Sequence, residues 1–279
     1  MTAHPLLDVG TLHTDDVAAY LDGIGEVFVV HRGHDSLNTS AAVRVGGQNW
    51  FVKWATEPGA VGHLQWAVRF RRAVTHPAII ALRASFPTPS GMAVVHDWAA
   101  GEVLNDPLVP GSRPRAEPGS AFARFRQLPV GQILAAFDTI LDVHLTVADA
   151  GFVAVDFYDG CLIYDFDRCV LRLCDLDLYC PGPYVLESDR RYGSTRFMAP
   201  EEFVRGSTID ESTTVFTLGR AAFVLLSRGE RGEEDHRLWR AGDRLFEVAR
   251  SATRPAPTDR YGSVRALAHA WRATDTSVG

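Results

Sequence analysis

The apolar positions of this chain change period once. Up to residue 100 they alternate or fall in short blocks, as strands do; from residue 130 they recur every three or four positions, as helices do. In the first part, 11–23 (TLHTDDVAAYLDG) reads as a short helix opened by Thr14 or Asp15 as cap. Strand signals follow at 26–31, 41–45 and 49–54, with Gly46-Gly47 as the turn between the last two. Helical spacing over 60–74 runs through Val61, Leu64, Ala67, Val68 and Val74. Two more apolar blocks, 78–83 and 92–96, are separated by Pro87, Pro89 and Gly91.

Residues 105–120 (NDPLVPGSRPRAEPGS) are rich in proline, glycine and charge and read as a mobile surface loop. Beyond them, helices are predicted over 130–150, 201–205, 213–227, 237–250 and 263–272, with short strands at 162–164 and 170–174. No internal repeat is evident. The expected class is α+β in two lobes: an extension over 1–25, a small β-rich lobe with one helix over 26–100, a larger, mainly helical lobe over 101–273, and a tail over 274–279.

The 279 residues are 46% hydrophobic, enough for a substantial core. A net charge of −6 supports neither nucleic-acid nor anionic-membrane binding. Met1 to Gly10 carries no basic stretch followed by an apolar run, and no uninterrupted apolar segment reaches a membrane span, so a cytoplasmic protein is expected. The four cysteines, Cys161, Cys169, Cys174 and Cys180, have 7, 4 and 5 residues between them, which matches no familiar zinc spacing; they read as buried free thiols. Of the 28 basic residues 27 are arginines, and the one lysine is Lys53, in the apolar run Trp50-Phe51-Val52-Lys53-Trp54. Lysine is a compact charge on a thin stem and arginine a rigid fork, so a tight site needing one point charge on a phosphate oxygen accepts only the former.

Lys53 is followed 122 residues later by Asp175-Leu176-Asp177, and Asp156 stands 19 residues before Asp175. Beyond them comes Gly193-Ser194-Thr195-Arg196-Phe197-Met198-Ala199-Pro200-Glu201. This ordered set, over roughly 26–273, resembles the eukaryotic-like serine/threonine protein kinases of bacteria, with some likeness to aminoglycoside-type phosphotransferases. The resemblance implies a two-lobed kinase-like fold that moves the γ-phosphate of ATP to a hydroxyl, with Mg²⁺ or Mn²⁺ as the metal. It implies that Lys53 contacts the α- and β-phosphates, that Asp156 accepts or orients the substrate hydroxyl, and that Asp175 binds the metal. The resemblance makes Gly33, twenty residues before Lys53, the central glycine of the phosphate-covering loop, with His31 and Ser36 in place of the flanking ones. It makes His96 the gatekeeper and the backbone of Asp97 through Ala99 the adenine hinge. It also implies that Ser194 bonds the catalytic aspartate and that Glu201 pairs with a late arginine, Arg260.

The chain departs from the family pattern at several points. Cys161 stands where an asparagine binds the second metal, and a thiol is a soft ligand for Mg²⁺; Asp177, in place of a glycine, adds a carboxylate that shares the metal load. Ala67 replaces the helix glutamate that pairs with the lysine. Ala154 and Val155 replace His-Arg before Asp156, and Thr214 replaces the helix aspartate that braces that turn. Tyr158 replaces a lysine beside the γ-phosphate. The expected acceptor is a protein Ser/Thr. The alternatives are a kinase-fold enzyme acting on a small-molecule hydroxyl, such as an antibiotic, and a nucleotide-binding pseudokinase. No nucleic acid or membrane partner is expected.

Overall fold

The structure, a computed structural model, describes residues 3–31, 37–105, 115, 117–189, 193–229 and 232–275. It is an α+β protein in two compact units, 3–100 and 101–275 among the described residues.

The first unit is built on a five-stranded antiparallel sheet. After helix α1 (Val17–Ile24) come β1 (Glu26–His31), β2 (Thr39–Val45), β3 (Gln48–Ala55), helix α2 (Pro58–Ala73), β4 (Leu82–Pro87) and β5 (Met92–Asp97), in sheet order β1-β2-β3-β5-β4. The β2–β3 turn is the predicted Gly46-Gly47, at φ 59° and 81°, where any Cβ would be strained. Alternation along β3 sends Trp50, Val52 and Trp54 to one face and Phe51, Lys53 and Ala55 to the other. The first face is covered by the chain's beginning: Leu6, Leu12, Val17 and Leu21 share one core with Val43, Trp50 and Val52, and His4 meets the Trp50 ring edge-on at 5.3 Å. Residues 3–25 are thus a structural layer of this unit. Helix α1 begins later than the sequence suggests because Asp16, rather than Thr14 or Asp15, caps it by accepting from the Ala19 N–H. The second face packs on α2 through Ala55, Ala60, Leu64, Val68 and Val94.

The second unit opens with β6 (Glu102–Val103), α3 (Ala121–Gln127) and α4 (Val130–Asp149). Strands β7 (Phe152–Val153), β8 (Leu162–Asp165), β9 (Val170–Leu173), β10 (Cys180–Pro181), β11 (Tyr184–Val185) and β12 (Thr208–Ile209) follow, then α5 (Glu211–Leu226), α6 (Asp243–Ala252) and α7 (Val264–Asp275). Helix α4 is long and apolar enough by composition to cross a membrane. Its apolar stripe of Ile133, Phe137, Ile140, Leu141 and Val147 is buried, with Phe137 stacked on Trp271 of α7 at 4.5 Å, and Arg272 binds Asp138 and Asp142. Gly219 lets α5 approach α6: a Cβ there would come within 2.8 Å of Ala252 and Thr253. The segment predicted as a helix over 201–205 is a 3-10 turn, Pro200–Phe203.

Candidate functional site

In the second unit the hairpin β8–β9 positions the site. Leu162 pairs with Leu173, so the chain entering β8 and the chain leaving β9 lie side by side at the open end. Asp156 is on the entering side and Asp175 on the leaving side. Both have left-handed backbone, at φ 58° and 54°. Such φ values are uncommon outside glycine and least costly for Asp and Asn; surrounding structure must hold them.

Cys161 does part of that holding. Its thiol lies 3.4 Å from the Asp156 carbonyl oxygen and 3.8 Å from that of Asp175, so one buried sulfur faces both aspartate backbones. Burial, then the Asp175 and Asp156 charges, pushes the Cys161 pKa well up and keeps the proton on sulfur. The expected metal position at Cys161 thus places one sulfur between the two turns, facing both carbonyls. Among the described residues no group of three or more His, Cys, Asp or Glu side chains is arranged to hold a metal ion. Asp175 is free of that requirement, because Mg²⁺ is held by one or two carboxylates with waters and substrate phosphates. Asp177 is largely buried, at 8% exposure.

Thr214 braces the Asp156 turn after all. Its Oγ1 accepts the Ala154 N–H at 3.0 Å, with both groups buried. A hydroxyl thus reaches the backbone ahead of Asp156 from helix α5. Thr214→Val keeps the shape and strands the Ala154 N–H. Thermal unfolding should register a loss of about 1–3 kcal/mol, and an unchanged melting temperature would mean the N–H finds another acceptor.

Tyr158 lies over Gly160, where a Cβ would fall 2.3 Å from the ring. Burial raises its pKa, and Cys161, Asp175 and Asp156 raise it further, so a neutral phenol stands beside the two aspartates. Behind the turn, buried His144 of α4 faces the Ile140 carbonyl through Nδ1 at 2.7 Å and the Tyr179 hydroxyl through Nε2 at 2.9 Å. A carbonyl only accepts, so Nδ1 carries the proton and Nε2 accepts from tyrosine. Burial pulls the His144 pKa down to about 4, and Phe157 packs on its ring at 4.8 Å. His144 and Tyr179 were not singled out in the sequence, where ten scattered histidines give no pattern.

Gly193 comes close to Asp156: a Cβ on it would lie 3.7 Å from Asp156 Oδ1. The Ser194 hydroxyl makes no hydrogen bond among the described residues; the Ser194 carbonyl accepts from Phe197 N–H at 2.9 Å. Glu201 and Arg260 form the expected ion pair, Oε1 to Nη1 at 2.6 Å and Oε2 to Nη2 at 2.8 Å.

In the first unit Lys53 sits on the central strand β3, opposite Ser40 of β2 and Val94 of β5. Residues directly opposite share a face. Phe51, opposite His96, lies two residues from Lys53 and so on the same face, and the His31 ring meets Phe51 at 6.0 Å. The α2 side of the sheet thus carries Lys53, His96 and His31 together. Ala67 is buried in α2, which has no acidic residue along its length. The Asp97 side chain holds Arg83 in a two-pronged pair at 2.7 and 2.6 Å, and Ala99 follows it past the strand end. Gly33 and Ser36 lie outside the described residues.

No family model matches this chain, and no curated protein matches it.

Proposed function

We propose that the chain is a two-lobed, protein-kinase-like phosphotransferase that moves the γ-phosphate of ATP to a hydroxyl, with a protein Ser/Thr as acceptor. The observation that carries this reading is the pair of left-handed aspartates, 19 residues apart in sequence, whose carbonyls both lie within 3.8 Å of the Cys161 sulfur. The buried Glu201–Arg260 pair and the face shared by Lys53 and His96 add to it.

In this reading Asp156 takes up or orients the proton of the acceptor hydroxyl, and Lys53 supplies the point charge on the nucleotide phosphates. Asp175 would hold Mg²⁺, with Asp177 nearby in sequence; the metal would supply charge neutralisation on the phosphates. The Asp97 carbonyl and the Ala99 N–H would meet the adenine edge beside His96. All four cysteines are free thiols, as a reducing, cytoplasmic setting would keep them, but only Cys161 is buried as expected; Cys169 is exposed and Cys174 and Cys180 are part-buried. A second reading, nucleotide binding without transfer, draws on the Cys161 thiol in a ligand position and on the acid-free helix α2.

Incubation with labelled ATP and Mg²⁺ or Mn²⁺ separates these readings. Label on the protein itself or on a generic protein acceptor supports the proposal; label on an aminoglycoside or nucleoside antibiotic alone points to the small-molecule enzyme. Nucleotide binding with no transfer points to the pseudokinase. Lys53→Arg should cut transfer at least tenfold, about 1.4 kcal/mol of transition-state stabilisation, since the planar fork does not fit where the ammonium does. Wild-type turnover in that variant would remove Lys53 from the reaction.

A further inference from the structure

We infer that Asp159 is a built-in anion that fastens the 193–201 segment to the Asp156 turn, so that the site is assembled without a phosphate on that segment; this rests on the phosphotransferase reading above. Asp159 lies three residues after Asp156 and opens a 3-10 turn whose second residue, Gly160, lies under the Tyr158 ring. Its side chain is fully buried. Arg196, inside the 193–201 segment, donates to it through Nη1 at 3.1 Å and Nη2 at 3.0 Å. Asn105 Nδ2 donates at 3.1 Å, and the Arg115 guanidinium stands at 2.8 Å as a second ion pair.

A carboxylate with no water around it must be paired, and removing a partner leaves an uncompensated charge. The segment therefore cannot swing away without taking Arg196, one of the two cations that meet Asp159, out of the pair. Arg196 is held from the other side too, because its carbonyl accepts from Arg220 Nε of α5 at 2.9 Å. Two guanidinium groups meet one carboxylate here; burial, opposed by Asp159, pulls Arg115 down to about 10, which leaves it charged at neutral pH.

The polarity is the reverse of a phosphate-driven ordering. A phosphorylated loop brings an anion to waiting arginines. Here the anion belongs to the turn that carries Asp156, the arginine belongs to the loop, and Val155 stands where the resemblance would put a phosphate-binding arginine. Fastened at Arg196, the segment brings Gly193 over Asp156 and Ala199 into its bond with Glu202 at 2.8 Å. Asp159 and Arg196 are positioning residues; neither touches the reacting atoms.

The test uses Arg196→Gln and Arg196→Lys in the full chain. Arg196→Gln leaves the Arg115–Asp159 pair in place and so keeps the carboxylate compensated, whereas Asp159→Asn would bury two opposed cations. Amide hydrogen exchange at Phe197 and Ala199 should quicken at least tenfold in Arg196→Gln and return part of the way in Arg196→Lys, which restores charge without the fork. In the transfer assay kcat should fall at least tenfold in Arg196→Gln, with the KM for ATP within twofold of wild type. Phosphatase-treated wild type should keep its activity. Unchanged exchange in Arg196→Gln overturns the fastening whatever the enzyme does, and a tenfold activity loss on phosphatase treatment overturns the built-in anion. Absence of transfer by wild type to every acceptor refutes the phosphotransferase reading and not the fastening, on which exchange still decides.

Discussion

Arg260→Met should destabilise the second unit by about 3–5 kcal/mol, lowering its melting temperature by about 6–20 °C. The arginine side chain is fully buried, and Glu201 is 8% exposed. Besides Glu201, it donates to the carbonyls of Ser212, Arg254 and Pro255, at 3.1, 2.7 and 2.8 Å, and lies over the Phe216 ring at 4.7 Å. Glu201 in turn accepts from the Thr213 hydroxyl at 2.9 Å, so one pair joins the 3-10 turn, the start of α5 and the segment before α7. Methionine fills much of the volume but leaves a buried carboxylate and three carbonyls without their donor. Pairing the change with Glu201→Gln should recover part of the loss, because the stranded charge goes. Calorimetry of the single and double variants measures both effects. A shift of under about 2 °C for Arg260→Met would mean that water reaches Glu201.

Asp156→Asn should lower phosphate transfer by about 10²–10⁴-fold, the range for loss of a group that handles a proton in the transition state. The substitution isolates chemistry from folding. Asparagine tolerates left-handed backbone as aspartate does, so the φ of 58° costs it little. The backbone groups near the turn, the Ala154 N–H on Thr214 and the Asp156 carbonyl facing Cys161, are unchanged by it. Nucleotide affinity should stay within twofold, since Lys53, His96 and Asp97 lie in the first unit. Transfer within threefold of wild type would show that Asp156 is a turn residue and no more.

The strands of the first unit were legible because period-two alternation and a Gly-Gly turn are local signals. The exception is β4: the apolar block at 78–83 suggested a strand, yet the ladder uses Leu82–Pro87. Ala78 and Ile79 are buried ahead of β4, and β4 is an edge strand, where a terminal proline is allowed and burial on one face suffices. Helix α3 has only seven residues, too few for a periodic signal, and most of 105–120 lies outside the described residues. Helix α6 starts at Asp243 and not near 237, because Gly242 at φ 82° interrupts the helical path.

At the site, the order and spacing of Glu201 and Arg260 pointed to the ion pair that forms, whereas the left-handed backbone of Asp156 and Asp175 had no sequence signal. The contacts that hold those turns were not legible. Cys161 reaches Asp175 across 14 residues, Arg196 reaches Asp159 across 37, and Thr214 reaches Ala154 across 60. Partners so far apart leave no periodicity, and neither a lone thiol nor a helix threonine announces its partner in the sequence.

The position of the single lysine also makes β3 a reporter strand. Lys53 lies within the middle strand of the sheet, two residues from its end, with β2 paired on one side and β5 on the other. A lysine-specific protease must draw an extended stretch of chain into its own cleft, which a strand locked in the centre of a sheet cannot supply. Each cut therefore records one opening of the sheet, and the two fragments appear together because no second lysine exists to blur the record. The cleavage rate measures how often the sheet opens, against a background of 27 arginines that the protease ignores.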